Sequence, residues 1–225
     1  MVLQRWGLLL GALLSVPASA QVIRLEAGSS SMYRADGGSI YVQGRTYEGW
    51  LGLAALNPVR VGGALRTRVR GADLSLGDEI VLLHLPTDYF DSGRLLFTRG
   101  VAVGVRRGST AVRVRGGVTS TVYSAPYFST GSSDDALGMI EAETRLAPPL
   151  VLTLRDIVSR RQTHLVGLAW TPDGPLHAAL TGGIGAGDRY AAAGFTYERS
   201  WLSVRSAYVE AGDRFHRVLT PQPEG

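Results

Sequence analysis

From Gln21 onward apolar residues alternate with polar or small ones, segment after segment, at the period of two that sends side chains to opposite faces of a β-strand. The clearest segment is 61–70. Val61, Gly63, Leu65, Thr67 and Val69 take one parity, and Arg66, Arg68 and Arg70 fall on the other with Gly62 and Ala64. Three successive arginines on one face are costly in a core and equally costly against lipid, so that face must meet water. A barrel lumen satisfies this, and so does the solvated side of a soluble sheet. Further on, Leu95, Phe97, Val101, Val103 and Val105 share a parity that Arg99 interrupts, and Val112, Val114, Val118 and Val122 stand opposite Arg113, Arg115, Thr119 and Thr121. Met139, Glu141, Glu143 and Arg145 oppose Ile140, Ala142 and Thr144. Past Pro148-Pro149, Leu150, Leu152 and Leu154 resume opposite Thr153 and Arg155, until Asp156 and Ile157 reverse the pattern. If the Pro-Pro turn closes a hairpin, Glu141 falls beside Arg155 across the ladder, a pair contributing up to about 1 kcal/mol.

Turn signals separate these segments. Ala186-Gly187-Asp188-Arg189 returns roughly 25 residues later as Ala211-Gly212-Asp213-Arg214, the length of two strands with their turns. Pro172-Asp173-Gly174-Pro175 breaks the strand before the first copy, because proline lacks an amide proton and Asp-Gly accepts positive backbone angles. With Asp173-Gly174 as a two-residue turn, His177 falls opposite Trp170. Turns are also predicted at 35–38, at Glu48-Gly49, at Gly77-Asp78 and at Arg107-Gly108. The run from Ile80 to Leu85 is nearly all apolar, which predicts a strand buried on both faces. Leu176, Ala178, Leu180 and Ile184 form an oily parity whose opposite is small or polar. Near the turns stand Trp170, Tyr190, Trp201 and Phe215, rings of the kind that a membrane interface selects at strand ends. The predicted fold is all-β: an antiparallel meander over residues 21–219 of about 12–14 strands, followed by a short tail at 220–225.

The first twenty residues stand apart. Arg5, the apolar run Trp6 to Leu14 and the small residues Ala18-Ser19-Ala20 predict a signal peptide, so the chain is exported. No later segment offers eighteen uninterrupted apolar residues, and membrane contact beyond the leader would have to be made by strands. The chain has no cysteine, which leaves stability in an oxidising compartment to packing or to barrel closure. All of its 23 basic residues are arginine, against 19 acids. They are spread through the strands and not clustered with stacking rings, which argues against nucleic acid.

Chemistry-bearing patterns are absent. His84, His164, His177 and His216 are scattered, no cysteine or His-x-x-x-His offers a metal site, and no Gly-x-Ser-x-Gly elbow is present. Glu141 and Glu143 lie on one strand face at about the spacing of two catalytic acids, but nothing else around them supports catalysis. No enzyme activity and no cofactor are predicted. Two loops of related composition, 86–93 and 126–131, carry Tyr89-Phe90 and Tyr127-Phe128. Their rings would bind a sugar or peptide, or else clamp the loop conformation.

With leader, meander, abundant glycine and turn-proximal aromatics together, residues 39–218 resemble a bacterial outer-membrane β-barrel of porin-like type, by general pattern and without a specific family motif. The resemblance implies an outer-membrane location, contact with the lipid bilayer and the insertion machinery, and a structural or passive-pore role. Arg66, Arg68, Arg70, Arg113, Arg115, Glu141, Glu143, Arg145 and Arg155 are then expected to line the pore. Such barrels commonly finish on an aromatic residue, whereas this chain ends Pro223-Glu224-Gly225, so the expectation includes an incomplete barrel. The competing expectation is a secreted or periplasmic β-sandwich that binds a glycan or protein through the Tyr-Phe loops.

Overall fold

A computed structural model describes residues 21–30, 35–55, 60–83, 87, 94–119, 123–124, 129–130 and 135–215. The predicted leader at 1–20, the predicted tail at 220–225 and the loop residues Tyr89, Phe90, Tyr127 and Phe128 lie outside the described residues.

The alternating segments become strands. The first seven are β1 (Val22–Ser30), β2 (Ala35–Gln43), β3 (Tyr47–Ala55), β4 (Arg60–Val69), β5 (Ala72–Leu83), β6 (Arg94–Arg107) and β7 (Thr110–Thr119). Two short strands follow, β8 (Tyr123–Ser124) and β9 (Ser129–Thr130), which form a separate two-stranded sheet. The rest are β10 (Ala136–Ala147), β11 (Leu150–Val158), β12 (Gln162–Trp170), β13 (Leu176–Gly185), β14 (Asp188–Arg199) and β15 (Leu202–Ala211). Each long strand pairs antiparallel with the next, β7 joining β10, in one meander of 13 strands from β1 to β15. The sheet is not closed between those two strands among the described residues.

The sheet curls. Thr87, in the connection after β5, is buried and its hydroxyl lies 3.1 Å from that of Thr181 on β13. Six ladder steps separate β5 from β13, about 29 Å if flat, whereas the four residues from Leu83 to Thr87 span at most about 14 Å. The wall must therefore bend into a trough, with Thr87 on its inner side. Buried Val81, Leu96, Leu137, Met139 and Ile157 form an apolar cluster on that inner face. On the outer face Val61, Leu65, Leu76, Ile80, Val101, Val103, Ile140, Val166, Leu180 and Ile184 are exposed, which is the arrangement of a sheet whose outer solvent is lipid. Among the described residues the 13-stranded sheet has only the two-stranded β8–β9 sheet beside it and no second layer of comparable size, which is not a sandwich, and that expectation is overturned.

Several predicted turns lie inside strands. Positions 35–38 belong to β2 and Glu48-Gly49 to β3, the turn between these strands lying at 44–46. Ile80 and Val81 point to opposite faces, Ile80 being 52% exposed, so β5 is not buried on both sides. Trp170 pairs with Ala178 rather than His177, because the connection spans five residues, 171–175. Gly77-Asp78 is no turn either. Gly77 sits within β5 at φ 103°, and a side chain there would run into the Gly63 carbonyl. The β4–β5 ladder stops at Ala64 and Gly77, while β5 stays paired with β6 up to Leu83. Asp78 and Arg99 fill the break on the outer face. Arg99 binds the Asp78 carboxylate through Nε (2.6 Å) and Nη2 (3.0 Å). The Gly63 N–H donates to Asp78 Oδ2 (2.9 Å), and Arg99 Nη2 donates to the Val61 carbonyl (3.1 Å). Two backbone groups that have lost their ladder partners are thus satisfied by one ion pair, as an apolar surrounding demands.

Candidate functional site: the charged inner face

Alternation delivers charged side chains to the inner face one strand at a time. On β3 to β5, Glu48 pairs with Arg66 (3.1 Å), and Arg66 also reaches Glu79 (3.3 Å). Glu79 in turn accepts from Ser75 (3.1 Å) and forms an ion pair with Arg115 on β7, whose Nη1 also donates to the Thr98 hydroxyl (3.0 Å). Closer to the β4–β5 turn, Arg68 is held by Asp73 (2.7 Å). Arg113 stands directly opposite Glu141 in the β7–β10 ladder, and Glu141 binds Arg155 on β11 through Nε and Nη2, both at 3.0 Å. The predicted Glu141–Arg155 neighbours are therefore partners in the ladder as well as an ion pair.

Two adjoining cavities of ≈ 640 and ≈ 460 Å³ open onto this face, and Asp73, Arg113 and Glu141 line both. The larger also takes Arg66, Arg68, Arg115 and Glu79; the smaller takes Glu143 and Arg155. Of the arginines, Arg115 is the most deeply placed. Its side chain is 3% exposed, and among the described residues its Nε and Nη2 have no hydrogen-bond partner. The anion beside this buried guanidinium is Glu79, and the two nitrogens without a partner are closed off from solvent, so Arg115 contributes charge to the face through its position and not through an open N–H.

Most of the residues singled out in the sequence come together here, with two differences. Arg70 is not on the face of Arg66 and Arg68: at φ 48°, with Gly71 at 83°, it forms the two-residue turn between β4 and β5. Arg145 shares the parity of Glu141 and Glu143 but is exposed beside a break in the β10–β11 register, where Arg145 opposes Val151 and Ala147 opposes Leu150. The acids Glu48, Asp73 and Glu79 were missed. Reading turns at Glu48-Gly49 and Gly77-Asp78 cut β3 and β5 in two and hid that Asp73, Ser75, Glu79 and Val81 share one face. With these acids in place, the arginines of the inner face are largely compensated.

The aromatics also divide. Trp170 ends β12 on the outer face, and Trp201 occupies the β14–β15 turn at 76% exposure. Tyr190 and Phe215 are not outer-face rings. Tyr190 is buried and stacks on Phe215 (ring centroids 4.7 Å) against Leu165 and Ala192, opposite to the face of Ile184 and Phe195. Tyr190 stands opposite Gly183, whose missing side chain lets the backbone of β12 at His164 approach closely. The segment after β15 is held there by the repeated turn. Asp188 of the first copy accepts the Arg189 N–H (2.9 Å) and the Arg214 N–H of the second (3.1 Å), and its carboxylate occupies the space that a Gly212 side chain would need.

Sequence comparison matches no family model and no curated protein. Structural comparison finds Pseudomonas aeruginosa OccK3 (OpdO), with a TM-score of 0.55 at 15% identity over 90% of this chain and 67% of that one. P. aeruginosa OpdQ matches at 0.57 and 13% identity, over 80% and 60% of the two chains. P. aeruginosa OccK2 (OpdF), solved in complex with glucuronate, matches at 0.53 and 16%, over 86% and 64%. The chain spans about two thirds of the length of these structures or somewhat less. Its curled meander, apolar outside and charged within, has the fold of the Occ-type porin barrels.

Proposed function

We propose that the protein is a passive pore of the bacterial outer membrane, placed there by the insertion machinery, whose inner face admits small anionic solutes such as carboxylates. The observation that carries this reading is the row of arginines lining the two cavities, Arg115 being the most deeply placed of them. Arg66, Arg68, Arg113 and Arg155 extend the cationic surface along the same face. The glucuronate complex of a protein with the same fold supports the choice of carboxylates. Because Glu48, Asp73, Glu79 and Glu141 each hold an arginine or face one, the preference for anions is modest and not absolute.

The test is the reversal potential of the purified protein in a planar bilayer under a potassium chloride gradient. Anion preference is expected in the native chain, reduced in Arg115→Gln and increased in Glu79→Gln. Cation preference in the native protein would refute the reading.

A further inference from the structure

The two ends of the meander differ in charge. At one end all the connections are short: 44–46, 70–71, 108–109, Pro148-Pro149, 171–175 and 200–201. At the other end lie the two long ones, 84–93 and 120–135. Arg45, Arg70, Arg107 and Arg199 stand in or beside four of the six short turns and Arg145 lies three residues before a fifth, all exposed, and none has an ion-pair partner among the described residues. The acids at this rim are Glu48 and Asp73, which are held by Arg66 and Arg68, together with Asp173 and Glu198, and Glu198 lies 3.9 Å from Arg205. At the opposite end Arg161, Arg189 and Arg214 are exposed as well, but carboxylates stand among them: Asp135 is paired with Arg160, Asp188 accepts the backbone N–H groups of Arg189 and Arg214, and Asp213 adjoins Arg214. Among the described residues guanidinium groups outnumber carboxylates in a collar around the short-turn rim, whereas at the other rim the two are nearly balanced.

An independent feature shares the collar's level. Trp201 and Trp170, the exposed indoles, both lie at the short-turn end, bordering the apolar outer rows. An indole takes the boundary between hydrocarbon and headgroup, where one end of its ring is dry and the other wet. Cations beside it meet whatever anion caps an apolar body, and a guanidinium grips phosphate oxygens two at a time. Short turns are those that outer-membrane barrels present to the periplasm.

We propose that this rim binds the phosphate headgroups of anionic phospholipids in the leaflet it faces, through Arg107 and Arg199 on the outer parity and Arg45 and Arg70 at the turns. The assignment rests on lipid being the solvent of the outer face and not on conduction. A soluble acidic partner would fit the cations but not the tryptophans beside them.

The test uses those tryptophans as reporters. The full chain is inserted into phosphatidylcholine vesicles containing a small, equal fraction of acyl-brominated phosphatidylcholine or acyl-brominated phosphatidylglycerol, and quenching of tryptophan fluorescence is compared. A relative association of about five in favour of phosphatidylglycerol is expected, falling towards one in molar salt. The variant Arg45→Gln/Arg70→Gln/Arg107→Gln/Arg199→Gln is expected to insert normally and show a ratio near one. Arg160→Gln/Arg161→Gln/Arg189→Gln, at the opposite rim, is expected to keep the native ratio. Equal quenching by the two lipids in the native chain, or a preference that survives in the first variant or is lost in the second, overturns the collar. If the fourfold variant does not insert, Arg107→Gln and Arg199→Gln are read singly, and an unchanged ratio in both is the overturning result. A native chain that stays outside vesicles of both compositions overturns the membrane reading and the collar with it.

Discussion

At the scale of single residues, Asp78 and Arg99 show how an apolar wall accommodates charge. Arg99 is visible in the sequence as an interruption of an oily parity, but its partner is not, because Gly77-Asp78 has the composition of a turn and only the neighbouring strands reveal that β5 runs through it. Removing the carboxylate orphans the Gly63 N–H and leaves a guanidinium facing hydrocarbon, either of which costs more than the pair contributes when intact. Asp78→Ala is therefore expected to lose about 2 kcal/mol of unfolding stability in urea and to speed hydrogen exchange at Gly63. Asp78→Asn keeps an acceptor for Gly63 and is expected to lose less. Native-like protection of Gly63 in Asp78→Ala would show that the bond is dispensable. The inner-face residues were more legible: Arg66, Arg68, Arg113, Arg115, Glu141 and Arg155 all follow from parity alone. The acids between them did not, since composition-based turns masked their strands.

At the scale of elements, the meander order and most strands follow from alternation, and the positions that failed are those where glycine was taken to mean a turn. Gly77 is instead the point at which β5 leaves β4. Its φ of 103° is open to few side chains, and an added Cβ would meet the Gly63 carbonyl. Gly77→Ala is expected to lower stability by about 1–3 kcal/mol, read as a lower urea midpoint, with strand content by circular dichroism unchanged. An unaltered midpoint would mean that the bend is not imposed by this residue. Tyr190 and Phe215 teach a related lesson. Proximity to a turn suggested an outward ring, whereas facing is set by parity, and Tyr190 has the parity of Leu165 and Ala192 rather than that of Ile184.

At the scale of the whole molecule, what no local pattern reveals is curvature, because it depends on a contact between residues 94 apart in sequence. The absence of cysteine makes that contact easy to examine. Thr87→Cys/Thr181→Cys is expected to form a disulfide on mild oxidation, seen as a shift in gel mobility that reductant reverses, while neither single variant shifts. Failure to cross-link in the folded protein would argue for a flatter wall. A different long-range device lies at the far edge, where the two Ala-Gly-Asp-Arg copies clasp one another. Sliding β15 by one residue along β14 would swap its faces and be rejected by lipid, but sliding it by two would preserve every inside and outside position. Such a slip brings Glu210 or Arg214 to the Asp188 carboxylate in place of Gly212, and neither fits. The duplicated tetrapeptide thus works as a proofreading key for strand alignment, discarding the one class of misassembly to which greasy-and-polar patterning is blind.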